Sequence, residues 1–269
     1  MPSLVGGPTV SDRWRLLEQS YGSVFQNLAV EEALARSALA PTFRPTVRLW
    51  VNPRCVILGR FQQASTEVDT SLCERSGIQI ARRFTGGGAV YQDEGNLNLT
   101  LVIQRERSKQ PRLSETASAI VLDALRSFGL KGSFLEPNSI MLGERKISGG
   151  AAAAGHGFEL WHGSLLVSTN VDTLRSVLAP SRQKHRTHFV RSRWHSVTTL
   201  DAAVGRKVSV EEVRSKLRES AQEILGAKLE ADGLGEDEEK WFARLYTRKY
   251  SLPSWNNNRE YEDFEDSSD

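Results

Sequence analysis

Arg82-Arg83-Phe84-Thr85-Gly86-Gly87-Gly88-Ala89-Val90-Tyr91-Gln92-Asp93 decides how the rest of the chain is read. Two arginines and a short spacer precede three consecutive glycines, which run straight into an apolar, β-prone segment. Glycine has no Cβ, so its N–H groups can approach a ligand closely and its backbone can take positive φ. A cationic pair beside such a run suits a phosphate, a carboxylate or an acyl-phosphate. An isolated glycine triplet is most often a surface turn. Three further constellations change its weight.

The first is Gly143-Glu144-Arg145-Lys146-Ile147-Ser148-Gly149-Gly150-Ala151, a cationic β-type segment beside small residues that leave space for an anion. Read alone, Lys146 is a solvent-exposed hairpin lysine. The second is Leu160-Trp161-His162-Gly163-Ser164, where a histidine precedes a glycine in an apolar strand; it is either a satisfied core histidine or a group that orients substrate. The third is a basic run from Arg182 to Arg193 with His185 and His188, either a solvated loop or a cover for an anionic intermediate.

Working outward, Val24 to Ala38 reads as a helix, and Val47–Val51 and Cys55–Gly59 as strands around an Asn52-Pro53 turn. Ile78–Phe84 is a strand leading into the glycines. Asn96–Ile103 alternates polar and apolar residues and predicts a half-buried strand. Glu115–Phe128 has the i, i+3, i+4, i+7 apolar spacing of an amphipathic helix. Ser139–Leu142 and Lys146–Gly149 predict a hairpin through Gly143-Glu144. Leu160–Thr169 is a further strand, and Val171–Leu178 a short helix closed by Pro180. Ser209 opens a long helix with a capping box to Glu212, and Glu238–Tyr250 is one more helix. The order predicts an α+β fold, a mixed or largely antiparallel sheet flanked by helices. Residues 1–12 are expected to be a flexible N-terminus, 13–255 a single catalytic domain and 256–269 an acidic, disordered tail.

Composition narrows the class. The chain has 269 residues, 39% apolar and 25% charged, with net charge +2, an ordinary globular balance that points to no nucleic-acid partner. No apolar run reaches membrane-spanning length, and no secretory leader is evident, so a cytoplasmic protein is expected. Cys55 and Cys73 are too few for a disulfide framework or a zinc site. No nucleophile elbow, His-Glu-x-x-His or Walker A motif is present.

Taken in order, these pieces resemble the lipoate–protein ligase family, within the wider biotin/lipoate ligase and octanoyltransferase superfamily. The likeness is carried by Asn27-Leu28-Ala29-Val30-Glu31-Glu32-Ala33-Leu34, Val47-Arg48-Leu49-Trp50, Val56-Ile57-Leu58-Gly59-Arg60-Phe61-Gln62, the Arg82–Asp93 loop, Gly95-Asn96-Leu97-Asn98, the lysine segment with Gly149, His162-Gly163 and Val190-Arg191-Ser192-Arg193. They span residues from about 25 to 200.

The resemblance implies a class II aminoacyl-tRNA synthetase-like catalytic domain that activates lipoate or octanoate with ATP and Mg²⁺ to an acyl-adenylate. The acyl group then passes to a lysine of a lipoyl carrier domain, an E2 subunit or a glycine-cleavage H-like protein. It assigns catalysis to Lys146. Binding of the acyl and adenylate groups falls to Arg83, Thr85, Gly86, Gly87, Gly88, Ala89, Val90, Tyr91, Gln92, Asn138, Gly149, His162, Gly163 and Ser164, with Arg191 and Arg193 on a loop over the adenylate. Three departures from the family pattern stand out. Gln92 replaces a histidine, and Ser139 follows Asn138 where a carboxylate would help hold Mg²⁺, which leaves the metal ligands unassigned. The usual C-terminal accessory domain is not recognisable; the resemblance leaves two readings, a separate accessory subunit that replaces it or no need for one. The competing readings are an ATP-independent octanoyltransferase, which needs a cysteine near the lysine hairpin, a biotin ligase, whose Gly-Arg-Gly-Arg loop is missing, and a non-catalytic acyl- or carrier-binding relative.

Overall fold

A computed structural model describes residues 13–105, 113–155, 157–178, 192 and 195–261. Eleven strands run in chain order among them: β1 (Arg13–Leu17), β2 (Thr46–Trp50), β3 (Cys55–Leu58), β4 (Gln79–Arg82), β5 (Val90–Gln92), β6 (Asn96–Gln104), β7 (Ser133–Leu135), β8 (Ser139–Leu142), β9 (Arg145–Ala154), β10 (Phe158–Leu166) and β11 (Lys228–Ala231). The helices are α1 (Val24–Arg36), α2 (Ala64–Glu67), α3 (Thr70–Arg75), α4 (Leu113–Arg126), α5 (Val171–Val177), α6 (Leu200–Val204), α7 (Val210–Leu225) and α8 (Glu236–Leu245). Two single wide turns follow, Tyr246–Tyr250 and Ser254–Asn258. No described helix is long and apolar enough to cross a membrane.

Eight strands form one mixed sheet in the order β11-β1-β2-β6-β10-β9-β8-β7, and three form a second, β4-β3-β5. Strand β1 runs parallel to β2 and β11, whereas β2, β6, β10, β9, β8 and β7 pair antiparallel in turn. The expected α+β fold with a mixed, largely antiparallel sheet is therefore the one observed. The two strands expected around Asn52-Pro53 both form, but they pair in different sheets. The turn is a crossover between layers rather than a hairpin.

Strand β6 shows how the layers are built. Leu97, Leu99 and Leu101 point into the main core with Val121 and Leu125 of α4 and Val213 and Leu217 of α7. Val102 packs on the other side with Val30 and Leu34 of α1. Asn96, Asn98 and Thr100 are buried too, so the expectation of a half-buried strand is corrected. Helix α1 covers the second face, and the polar positions that alternation assigned to water become a polar floor beneath that helix.

The chain past α8 closes the far side of α1. Lys249 bridges to Glu32 at 2.8 Å with both side chains buried, and Trp255 and Asn256 lie in the interior. Ordered packing thus runs beyond Trp255, past the start of the expected tail. The capping box of α7 is half formed. The Ser209 hydroxyl accepts from the Glu212 amide at 3.1 Å, while the Glu212 carboxylate takes Arg206 instead of closing back on the cap.

Candidate active site

The glycine loop leaves β4 with its two arginines facing different ways. Arg82 is buried and gives its guanidinium to five carbonyls: Gly59, Arg60 and Gln62 on one side, Trp255 and Asn257 on the other. Arg82 lines neither cavity described below, so the expected cationic pair reduces to Arg83. Burial pushes the Arg83 guanidinium down to about 10. Its donors hold the loop from inside, to Gly86 O at 2.6 Å, Gly88 O at 2.9 Å and Thr85 Oγ1 at 3.0 Å. The carbonyls of the loop are thereby turned into the protein. The amides of Gly86, Gly87 and Gly88 find no acceptor among the described residues. Gly87 has φ +91, and its carbonyl presses on the Cα of Gly59, where any Cβ would collide.

Lys146 comes from the hairpin of β8 and β9, which forms as expected. What the sequence hides is a bulge. Ile140 faces Ser148 but Met141 faces Lys146, so Ile147 is an extra residue. A bulge re-aims the side chains beside it. Ile147 goes into the main core, and Lys146 turns over Gly149, whose missing Cβ would stand 2.5 Å from Nζ. The backbone of Lys146 is clamped by Ser196 O at 2.8 Å and by the Thr198 amide at 3.0 Å. Burial, then the nearby Arg83 charge, holds its amine below the ordinary lysine value. No described side chain pairs with it.

His162 sits on β10 facing α1. Its Nδ1 lies 3.0 Å from Glu31 Oε2 and its Nε2 2.8 Å from Thr85 Oγ1. A carboxylate only accepts, so in the neutral ring Nδ1–H donates to Glu31 and Nε2 accepts the Thr85 hydroxyl. Glu31 is fully buried and also takes Arg48 at 2.7 Å and Thr100 at 2.8 Å. Burial alone would raise its carboxyl; the His162 hydrogen bond and the Arg48 charge outweigh that and hold it low. A second relay of side-chain amides runs Asn27, Asn52, Gln92, Asn98 in links of 2.8 Å. Gln92 fills its position by donating to Asn98 and accepting from Asn52, with no charge involved.

These elements enclose a cavity of about 470 Å³. Of the residues expected from sequence, Arg83, Gly87, Gly88, Ala89, Val90, Gln92, Asn138, Lys146, Gly149, His162, Gly163 and Ser164 line it. Thr85 lies behind it, buried against His162, and Gly86 is outside its wall. Tyr91 lines a neighbouring cavity of about 120 Å³. Arg191 and Arg193, with most of the basic run, lie outside the described residues. Ser192 is described: its Oγ takes the Ala89 amide at 2.9 Å and Gln62 Nε2 at 3.1 Å. Sequence reasoning did not single out Leu28, Trp50, Asn98, Glu136, Ser192 or His195, all of which line the larger cavity. Nor did it assign Glu31 and Arg48, which stand behind His162. Most lie inside the stretches that carried the family likeness, and that was the one signal available for them.

A cavity walled by a glycine loop and a lysine that have no partners among the described residues, and by a carboxylate-oriented histidine, defines an enzyme that handles an activated anionic group. The lipoyl protein ligase A/B catalytic domain model matches residues 23–222, and the chain belongs to that family. Among its relatives, lipoate-protein ligase A subunit 1 of Thermoplasma acidophilum is 36% identical over 251 residues, 90% of this chain and 95% of that one. A solved structure described as a bi-partite lipoate protein ligase and its E2 lipoyl domain, from the same organism, matches with TM-score 0.83 and 33% identity over 94% of this chain and 99% of that one. A crystal structure of lipoate-protein ligase A bound with ATP matches with TM-score 0.79 and 34% identity over 91% and 98%.

Proposed function

We propose that this chain is a lipoate–protein ligase that activates lipoate or octanoate with ATP and passes the acyl group to a lysine of a lipoyl carrier domain. The observation that carries the reading is the position of Lys146. Its half-buried ammonium, unpaired among the described residues, lies on the wall shared by the two cavities, and Gly87 and Gly88 line the larger of them with it. In the first step the fatty-acid carboxylate attacks the α-phosphorus of ATP and pyrophosphate leaves. In the second the carrier amine attacks the carbonyl of the mixed anhydride and AMP leaves. Both steps build negative charge beside a phosphate, which Lys146 neutralises and the glycine amides hold without a side chain in the way. Catalysis is then positioning and charge stabilisation.

Apolar walls from Leu28, Trp50, Ile57 and Leu135 suit the acyl chain. No group of three or more His, Cys, Asp or Glu side chains able to hold a metal occurs among the described residues. Mg²⁺ would travel on the nucleotide phosphates, where it screens their charge; among the described residues lining the larger cavity Glu136 is the one carboxylate. An acyl-enzyme route has no support from the cysteines. Cys55 and Cys73 line neither cavity, and burial pushes both thiols up, Cys73 to about 11. The carrier and a separate accessory subunit belong to the same reading, supported by the words bi-partite and E2 lipoyl domain used of the T. acidophilum protein.

The test is to incubate the protein with ATP, Mg²⁺, lipoate and an apo lipoyl domain, and to weigh the carrier. ATP-dependent lipoylation is expected, and Lys146→Ala abolishes adenylate formation. Modification from an octanoyl carrier protein without ATP would replace the ligase reading with a transferase.

A further inference from the structure

The second step sheds a proton that the mechanism above leaves unassigned. A carrier lysine arrives as an ammonium and gives one proton to water. Its lone pair then closes the new C–N bond, and the anhydride C–O bond breaks with its electron pair to AMP. As that happens the nitrogen must lose another proton. The first step needs no such help, because a carboxylate attacks already ionised. The proton acceptor belongs where Lys146 meets the anhydride, on the wall common to both cavities. Among the described residues of that wall, Lys146 and His195 carry the titratable side chains, and Lys146 serves as the cation. His195 is half-buried, and its ring has no hydrogen bond or ion pair among the described residues.

The place of His195 is set by the backbone of Lys146 itself. The next residue, Ser196, accepts the Lys146 amide at 2.8 Å; Val197 bridges to Lys146 in parallel; the Thr198 amide returns to Lys146 O at 3.0 Å. The other bases on the two walls are committed elsewhere. His162 has both ring nitrogens engaged, by Glu31 and Thr85. Glu67 spends Oε2 on the Ser192 amide, and its Oε1 is buried. Glu136 is exposed and lines the larger cavity only. We infer that His195 is a catalytic residue of acyl transfer, the general base that takes the proton from the attacking carrier amine and hands it to solvent at its exposed edge. This rests on the reading of the site as an ATP-dependent ligase.

The experiment times the two steps separately in single turnovers, for the unaltered protein, His195→Gln and His195→Ala. Acyl-adenylate formation from lipoate and ATP is measured first, then transfer of the preformed adenylate to a saturating apo lipoyl domain. Both variants should lose transfer by about 100-fold or more beyond any loss of adenylation. Added imidazole should restore part of the transfer in His195→Ala and leave adenylation unmoved. Equal losses in the two steps would make His195 a wall of the substrate site and overturn the inference. So would full transfer by His195→Gln, whose amide cannot take up the proton. A transfer deficit in His195→Ala that imidazole does not relieve would place the residue in carrier docking and overturn it equally. If the unaltered protein forms no adenylate from ATP, the failure is a different one, that of the ligase reading itself.

Discussion

Gly149 and Gly150 are adjacent, and the structure gives them opposite duties. A Cβ on Gly149 would meet the flexible end of Lys146, 2.5 Å from Nζ and 2.6 Å from Cε. The lysine can swing away, so Gly149→Ala should fold within about 1 kcal/mol of the parent. It should nonetheless lose roughly 10- to 100-fold in adenylation, because the ammonium is displaced from the reacting phosphate. A Cβ on Gly150 would run into the indole of Trp161, a ring buried in the main core. That ring cannot retreat, and Gly150→Ala should cost about 1–3 kcal/mol by overpacking. Urea unfolding and single-turnover adenylation measured side by side decide the matter. If the two variants fail in the same way, the assignment of Lys146 to the space above Gly149 is wrong. The requirement for small residues here was readable in the sequence. Which neighbour each one makes room for was not, because it depends on the bulge at Ile147.

Helix α1 couples the site to the sheet. Its 13 residues contain no glycine or proline and are mostly alanine, leucine, valine and glutamate, good material for a helix buried on nearly all sides. The cost is that Asn27, Glu31 and Glu32 are buried with it, and each needs partners. Glu31 finds Arg48, Thr100 and His162. Glu31→Gln leaves the wholly buried Arg48 with a hydrogen bond but no countercharge. Breaking one side of such a pair costs about 3–5 kcal/mol. The pH sense follows from the low folded value of the Glu31 carboxyl. Its contribution is complete above the unfolded value of 4.5 and is lost as pH falls through the folded value. The stability gap between parent and variant should therefore be full at neutral pH and close on acidification below 4.5. A gap that is flat in pH would show that packing, not charge, carries the effect. At this scale the sequence was most legible where one pattern ruled. The helices over 24–36 and 113–126 and the lysine hairpin follow from spacing alone. Strand β6 followed in its limits but not in its burial, since alternation cannot tell water from a covering helix.

Across the whole molecule, the C-terminal turns and the glycine loop are one structure. Trp255 Nε1 donates to Arg82 O at 2.9 Å, and Arg82 returns its Nε to Trp255 O at 3.0 Å, across 173 positions of sequence. Lys249 lies 4.1 Å from the centre of the same indole. Trp255→Ala should cost about 3–5 kcal/mol and should also slow adenylation, since Arg82 holds the Gly59–Gln62 turn on which Gly87 rests. A variant less stable but fully active at low temperature would separate the C-terminal turns from the site. By itself the sequence determined what is local: periodicities, turn chemistry, the glycines that let a backbone come close, and a motif order specific enough to identify a family. It named Lys146 and the glycine loop as partners some sixty residues apart. Only the tertiary structure decided that Arg82 braces rather than binds, that Glu31 stands behind His162, and that Lys146 faces inward. The reason is physical: a side chain's type is set by its codon, but its charge state, its partners and the face it presents are set by whatever distant segment excludes water from it.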